Sequence, residues 1–111
     1  MEFEKVVNGL VKYVTARIIP TMNDWQSLGA RVLLARALRS SREIKDALIN
    51  NYYVKTFGFI SEDGNVDIDG ILNDLRSVFK EQSYIEINIP MYGSLKFTEA
   101  DIDDIKGYLE G

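Results

Sequence analysis

Residues 85–98 read IEINIPMYGSLKFT, and within them the repeat of apolar side chains shortens to two residues. Isoleucines alternate with polar neighbours over Ile85–Ile89, which is the pattern of a strand with one buried face. Pro90 ends that strand, Gly93 marks a turn, and Leu95–Phe97 alternates again. This stretch therefore predicts a β-hairpin.

The rest of the chain has the three- and four-residue apolar spacing of amphipathic helices. Good capping residues precede several of these segments: Thr21 or Asn23, Ser40, Asp67 and Thr98. We therefore expect helices over 2–19, 24–39, 41–55, 68–82 and 99–109. Residues 52–60 are aromatic and β-branched, so an extended end of the third helix is the alternative there. Together these patterns predict a mostly helical α+β fold, with about five helices and one small β-hairpin before the C-terminal helix.

The chain has 111 residues and contains neither cysteine nor histidine. This length favours a single domain over residues 1–111. Disulfides and thiolate zinc sites are excluded, and the commonest general base and transition-metal ligand is missing. Catalytic Ser-His-Asp and Cys-His arrangements are excluded as well. We therefore expect a protein that is not an enzyme, with no cofactor and no catalytic residue.

An acidic segment at residues 63–70 reads DGNVDIDG and has some features of a calcium-binding loop. With Asn65 in the first position of such a loop, Asp67 and Asp69 take the third and fifth positions. Arg76 then occupies the twelfth position, where a glutamate would bind calcium and an arginine repels it. A turn followed by a helix N-cap explains the segment better, so we predict no metal site.

Charge is distributed unevenly between the two halves of the chain. Residues 1–60 carry nine basic and five acidic side chains, a net charge of +4, whereas residues 61–111 carry four basic and twelve acidic, a net charge of −8. Three interpretations are open: a basic surface for nucleic acid, head-to-tail association between copies, or neutralisation of one half by the other.

The hairpin end is the leading candidate for an interaction surface. Tyr92 and Met91 lie at the predicted turn, and Glu86 and Lys96 point outward from its two strands. Tyrosine and methionine are common where proteins meet, and a two-stranded sheet has open edges that a partner strand can join. We therefore expect a protein-interaction or assembly module that binds a protein partner or a second copy of itself.

Arginines on the second and third helices carry the alternative function. Four of them fall within twelve residues, and such a set can neutralise phosphates: Arg31, Arg36, Arg39 and Arg42. The alternative is therefore a small nucleic-acid-binding regulator that uses this arginine face. The net charge of −4 is opposite in sign to the usual charge of a nucleic-acid-binding domain.

The chain has no run of about 18 apolar residues of the kind that spans a membrane. Its first residues, MEFEK, are acidic where a secretory signal would be basic. We therefore expect a cytoplasmic protein without a membrane partner.

The C-terminal half resembles short uncharacterised proteins encoded by phages and prophages of Gram-positive bacteria. Three stretches carry the resemblance: NVDID at 65–69, IEINIP at 85–90 and GSLKFTEADI at 93–102. It implies a small accessory or virion-related protein and assigns no functional residue.

Overall fold

The computed structural model describes residues 1–89 and 93–111, and it confirms a mostly helical α+β fold. In chain order the elements are α1 (Phe3–Tyr13), α2 (Asp24–Arg39), α3 (Ser41–Ile49), α4 (Tyr52–Phe57), α5 (Ile68–Val78), β1 (Ile85–Ile89), β2 (Gly93–Phe97) and α6 (Glu99–Glu110). The predicted hairpin is present, and it precedes the C-terminal helix. Tyr92 and Met91 lie outside the described residues.

The first helix does not end cleanly. After α1 the chain continues as a π-helical turn over Val14–Ile18 and a 3₁₀ turn over Ile19–Thr21, which contains Pro20. Neighbouring residues of a regular α-helix point about 100° apart. The change of helix type allows Ile18 and Ile19, which are adjacent in sequence, both to be buried.

The core lies where α1 packs against α6. Phe3 and Val6 from α1 meet Leu109 from α6, and Val66 from the segment before α5 completes the cluster. That segment is held in place because the Val66 N–H donates to the carbonyl oxygen of Met1 at 2.7 Å.

Local capping explains where several helices begin. Asn23 and Gln26 form a reciprocal capping box at the start of α2, with bonds of 2.9 and 3.2 Å. Asp67 caps α5 by accepting a bond from the Gly70 N–H at 3.0 Å. Ser40 is the N-cap residue of α3, as predicted, but its side chain makes no capping bond, and α3 follows α2 after this single residue.

The predicted third helix is divided into α3 and α4, so the described residues contain six α-helices. Asn51 causes the break: its side-chain oxygen accepts from the N–H groups of Tyr53 and Val54, at 2.9 and 3.2 Å, and caps a new helix. Gly58 ends α4 with a φ of 71°, a left-handed conformation that glycine adopts without steric cost.

The strands of the hairpin pair antiparallel, with Ile85 opposite Phe97 and Glu86 opposite Lys96. The apolar face of the hairpin lies over α5 and α6, but a cavity remains between the hairpin and these helices. Ile85, Ile87 and Phe97 line an apolar cavity of about 210 Å³ together with residues of these helices. Ile87 remains 46% exposed.

The molecule has a large surface for its mass. It exposes 7787 Å², whereas a folded monomer of 12.6 kDa is expected to expose about 6,200 Å². Its radius of gyration is 14.5 Å, compared with about 13 Å for a typical domain of this length. Within the described residues, no helix combines the length and apolar character of a membrane span.

Candidate protein-interaction surface

Helix α2 carries apolar side chains on the side that faces away from the protein. Trp25 is 83% exposed, Leu28 58% and Val32 57%. These residues follow one another at spacings of three and four, so they lie along one side of the helix. We call Trp25, Leu28, Val32 and Ala35 the outer face of α2.

The opposite side of α2 packs against the protein through aliphatic side chains, two of them alanines. Ala30 is buried, and Leu34 and Ala37 are half-buried. The helical spacing of residues 24–39 predicts that Leu33 and Leu38 face the core with them, but both are exposed. Leu33 lines an open apolar cavity of about 300 Å³ between α1, α2, β2 and α6. Helix α2 is therefore apolar on two sides, and only one of them is covered.

Three arginines of α2 border its outer face. Arg31, Arg36 and Arg39 are all exposed, and none forms a salt bridge with any described residue. The Nε–H of Arg31 donates a long bond of 3.4 Å to the Ser27 hydroxyl. The outer face of α2 therefore carries an exposed indole and aliphatic side chains, and it is bordered by guanidinium groups that have no salt-bridge partner among the described residues.

Arg42 lies in a different environment, at the start of α3. The pKa of the Glu4 carboxyl is lowered, mainly by hydrogen bonding to its own backbone N–H and to Lys45, with a smaller effect of the Arg42 charge. Lys45 lies 3.4 Å from Glu4. Arg42, the fourth predicted nucleic-acid contact, is exposed, and no salt bridge of the described residues includes it.

A second exposed apolar patch lies on α4. Tyr52, Tyr53 and Phe57 are each at least 70% exposed. The Tyr52 and Tyr53 rings meet edge to face at 5.6 Å, and Phe57 stacks on Phe59 at 6.2 Å. The aromatic composition of residues 52–59 predicts that most of these rings lie in the core. That prediction is wrong, because α4 is a separate short helix whose outer side no described element covers.

The predicted hairpin site is described only in part. Glu86 and Lys96 are directly opposite each other and both are exposed. The Lys96 ammonium lies 4.9 Å from the centre of the Tyr84 ring, a cation–π contact. The two residues at the predicted tip, Met91 and Tyr92, fall outside the described part of the chain.

Salt bridges of the described residues stay within each half of the chain. Lys45 pairs with Glu4 in the basic half, and Arg76 pairs with Asp103 at 2.6 Å in the acidic half. Lys106, also in the acidic half, lies 3.9 Å from both Asp69 and Glu110. No salt bridge among residues 1–89 and 93–111 joins the two halves, so direct pairing does not neutralise the charge difference.

The carboxylates of the acidic segment at residues 63–70 contact three different partners. Asp67 caps the helix, Asp69 is near Lys106, and Asp63 accepts a short bond from the Ser61 hydroxyl. This bond is the main reason that the pKa of Asp63 is lowered. In the described part of the chain no three acidic side chains come together as a group able to hold a metal ion.

Tyr13 is a buried aromatic residue that borders a polar cleft. Its ring meets Tyr108 edge to face at 5.8 Å, and the cleft beside it is also lined by Arg17, Asp101 and Asp104. Burial raises the pKa of Tyr13, and the negative charges of the two aspartates raise it further. Two basic side chains, Arg17 and Lys96, and two acidic side chains, Asp101 and Asp104, line this cleft, so its formal charges balance.

No protein-family model, curated protein or solved structure matches this chain. The geometry of the molecule is therefore the basis for a functional proposal. The resemblance of its C-terminal half to phage-encoded proteins stays a prediction.

Sequence reasoning missed the outer face of α2. The available signal was that apolar residues recur at helical spacing on two sides of residues 24–39, with the only tryptophan of the chain among them. A helix that is apolar all round is normally covered on all sides. This signal shows that two sides are apolar, but it does not show which of them the rest of the chain covers.

Proposed function

We propose that this protein is a non-enzymatic protein-interaction or assembly module, and that the outer face of α2 is its docking surface. The exposure of Trp25, Leu28 and Val32 on one side of a single helix is the observation that carries the proposal. Tryptophan and arginine are the residues that most often dominate binding energy at protein interfaces. Here an exposed tryptophan lies on the same side of the helix as unpaired arginines.

An amphipathic helix face that lies in a partner's apolar groove is a common mode of recognition. Trp25 and Leu28 have the spacing of anchors for such a groove. Exposed apolar patches of more than a few hundred Å² are uncommon on proteins that act alone. A partner that covers this face would remove both the exposed indole and the aliphatic side chains from water.

The chemistry of the chain supports a binding role without catalysis. Cysteine and histidine are absent, so the most frequent nucleophile–base pairs cannot be assembled. The larger apolar cavity is lined by aliphatic and aromatic side chains, with Tyr13 as its titratable member.

The docking surface can be tested with a photo-crosslinking amino acid at position 28 in cells that produce the protein. We expect a covalent adduct of defined mass, because Leu28 is at the centre of the outer face. The same amino acid at Lys80, an exposed position after α5, is the control and should give no such adduct. The proposal is wrong if position 28 gives no adduct with any protein, or gives the same pattern as position 80.

The hairpin end stays a second candidate docking surface, and the same method tests it. A crosslinker at Tyr92 should give an adduct if the hairpin binds a partner. Tyr92→Ala should then weaken the association, and an unchanged association would exclude this site.

Nucleic-acid binding is the second candidate function, and the unpaired arginines of α2 favour it. The one-residue connection at Ser40 differs from the three- or four-residue turn of a helix-turn-helix motif, so a different mode of binding is needed. If this function is correct, the protein should retain DNA in a low-salt gel shift, and retention should fall steeply with salt. Changing Arg36 and Arg39 together to glutamate should abolish retention, and wild-type protein that shifts no DNA at low salt would exclude it.

A further inference from the structure

The apolar cavity of about 300 Å³ between α1, α2, β2 and α6 has the character of a small-molecule site. Aliphatic and aromatic side chains form its walls, and its volume is at the lower end of the range for sites that hold small ligands. Leu10 and Leu33 line it and are 41% and 52% exposed, so the cavity is open to solvent. Its walls belong to the inner side of α2, so it is separate from the outer face of that helix.

The polar cleft beside Tyr13 continues this cavity. Four wall residues are common to the cavity and the cleft: Tyr13, Ile18, Leu95 and Phe97. Burial raises the pKa of Tyr13, and the charges of Asp101 and Asp104 raise it further. The charge of Arg17 lowers the same pKa, so these three charges all lie within electrostatic range of a phenol that borders the cavity.

Two of the four charged side chains of the cleft already have contacts within the protein. Asp101 accepts a hydrogen bond of 2.7 Å from a backbone N–H in the cap of α6. The Lys96 ammonium lies 4.9 Å from the centre of the Tyr84 ring. Neither Arg17 nor Asp104 forms a salt bridge with any described residue. One cation and one anion therefore remain to bind a ligand beside the apolar walls.

The π-helical turn over Val14–Ile18 joins the two parts of the site. Val14 and Ile18 line the cavity, and Arg17 lines the cleft. Single π-helical turns within helices occur frequently at functional sites. Here the turn brings a guanidinium group next to apolar walls.

We propose that the cavity and the cleft form one binding site for a small zwitterionic amphiphile. Its apolar tail lies in the cavity, its anionic group binds Arg17, and its cationic group binds Asp104. A head with a single charge would be attracted by one of these side chains and repelled by the other, whereas a zwitterion is attracted by both. An α-amino acid with a straight apolar side chain is the simplest molecule of this class.

The cavity volume limits the length of the tail. A methylene group is similar in size to a water molecule, which takes about 30 Å³ in the liquid, so 300 Å³ corresponds to about ten such groups. A single short chain fits this space, and the two long chains of a membrane lipid do not. We therefore expect a free small molecule as the ligand.

The test is a titration of the isotope-labelled full-length protein with 2-aminooctanoate, followed by the amide chemical shifts. We expect saturable shifts in the π-helical turn, the inner side of α2 and β2. Affinity should rise about fourfold for each methylene added from 2-aminobutanoate to 2-aminooctanoate, because each one is transferred from water to the apolar cavity.

A matched pair of variants on α2 tests the position of the tail. Leu33→Asp should weaken binding about tenfold or more, because it places a carboxylate in the apolar wall. Leu28→Asp is the control, since Leu28 has a similar exposure of 58% but lies on the outer face of the same helix. That variant should bind like wild type. The circular dichroism of both variants should match wild type because both side chains are exposed.

Ligands with one charge test the head. Octanoate lacks the ammonium group and heptylamine lacks the carboxylate, so both should bind more weakly than 2-aminooctanoate. Arg17→Gln should weaken the binding of octanoate and strengthen that of heptylamine by about two- to fivefold, and Asp104→Asn should do the reverse. A general loss of structure would weaken both ligands and would not produce this reversal.

Three results would overturn the inference. They are the absence of saturable shifts at millimolar 2-aminooctanoate, equal weakening by Leu28→Asp and Leu33→Asp, and tighter binding of octanoate or heptylamine than of the zwitterion. The crosslink at position 28 tests the outer face of α2 separately. A failed titration therefore leaves the proposed docking role in place, and a failed crosslink leaves this ligand site in place.

Discussion

At the scale of single residues, Tyr13 is a buried side chain whose ionisation is linked to folding. It is buried beside Tyr108, and its pKa is raised first by burial and then by the charges of Asp101 and Asp104. A raised pKa means that the folded state favours the neutral phenol. The corresponding stability is fully present below the ordinary value of 10.0 and is lost as the pH rises through the higher value of the folded protein.

We therefore predict that Tyr13 contributes to unfolding at alkaline pH. Wild-type protein should lose stability to urea from about pH 10 upward, and Tyr13→Phe should reduce this loss because phenylalanine has no proton to release. The measurement is the urea midpoint of both proteins from pH 8 to pH 11. Tyr52→Phe, at an exposed site on α4, is the control, and the prediction is wrong if the two variants change the pH profile equally.

At the scale of elements, the contact between α1 and α6 depends on Gly9. A β-carbon built at this position would lie 2.7 Å from the Cδ2 of Leu109, 3.0 Å from its Cα and 3.1 Å from the carbonyl oxygen of Tyr108. Two of these atoms belong to the backbone of α6 and cannot move aside without shifting the helix. Glycine weakens α1 as an isolated helix, but it allows the two helices to approach closely.

We predict that Gly9→Ala lowers the free energy of unfolding by about 1–3 kcal/mol, because overpacking outweighs the gain in helix propensity. The control is Gly107→Ala in α6, where a β-carbon would have no neighbour within 4 Å. That variant should raise the free energy of unfolding by about 1 kcal/mol. Urea denaturation of both variants gives the comparison, and a stabilised Gly9→Ala protein would contradict the close contact.

Helices and strands that are determined by a short stretch of sequence, such as an alternating pattern or a capping residue, were predictable. The alternation of Ile85–Ile89 predicted β1 correctly, and the cap at Asp67 predicted the start of α5. For α2 the sequence offered Thr21 or Asn23 as the cap, and Asn23 is the one used. The break at Asn51 was missed because an asparagine within a helical pattern is also tolerated there.

The candidate site was less predictable because it depends on tertiary packing. The sequence shows that α2 has two apolar sides, but which side is covered depends on where α1 and the hairpin lie. The exposed aromatic residues of α4 were missed for the same reason. A residue's periodicity places it on a helix face, and only the three-dimensional arrangement decides whether another element covers that face.

At the scale of the whole molecule, the core and the most exposed apolar side chains lie in different parts of the chain. Helices α1 and α6 build the core with Val66, whereas α2 and α4 carry the large exposed apolar side chains. The charges follow a related division, because the described salt bridges remain within the basic half or within the acidic half. The first half of the chain therefore presents unpaired cations beside its exposed apolar surface.

The single tryptophan of the chain gives this arrangement a practical consequence. An indole in water and an indole in an apolar contact fluoresce at different wavelengths, and Trp25 is 83% exposed on the outer face of α2. The wavelength of its fluorescence maximum therefore reports whether this surface is exposed to water. No attached dye is needed, and no other tryptophan contributes to the signal. Rapid mixing of unlabelled protein would record how fast the surface is covered and uncovered.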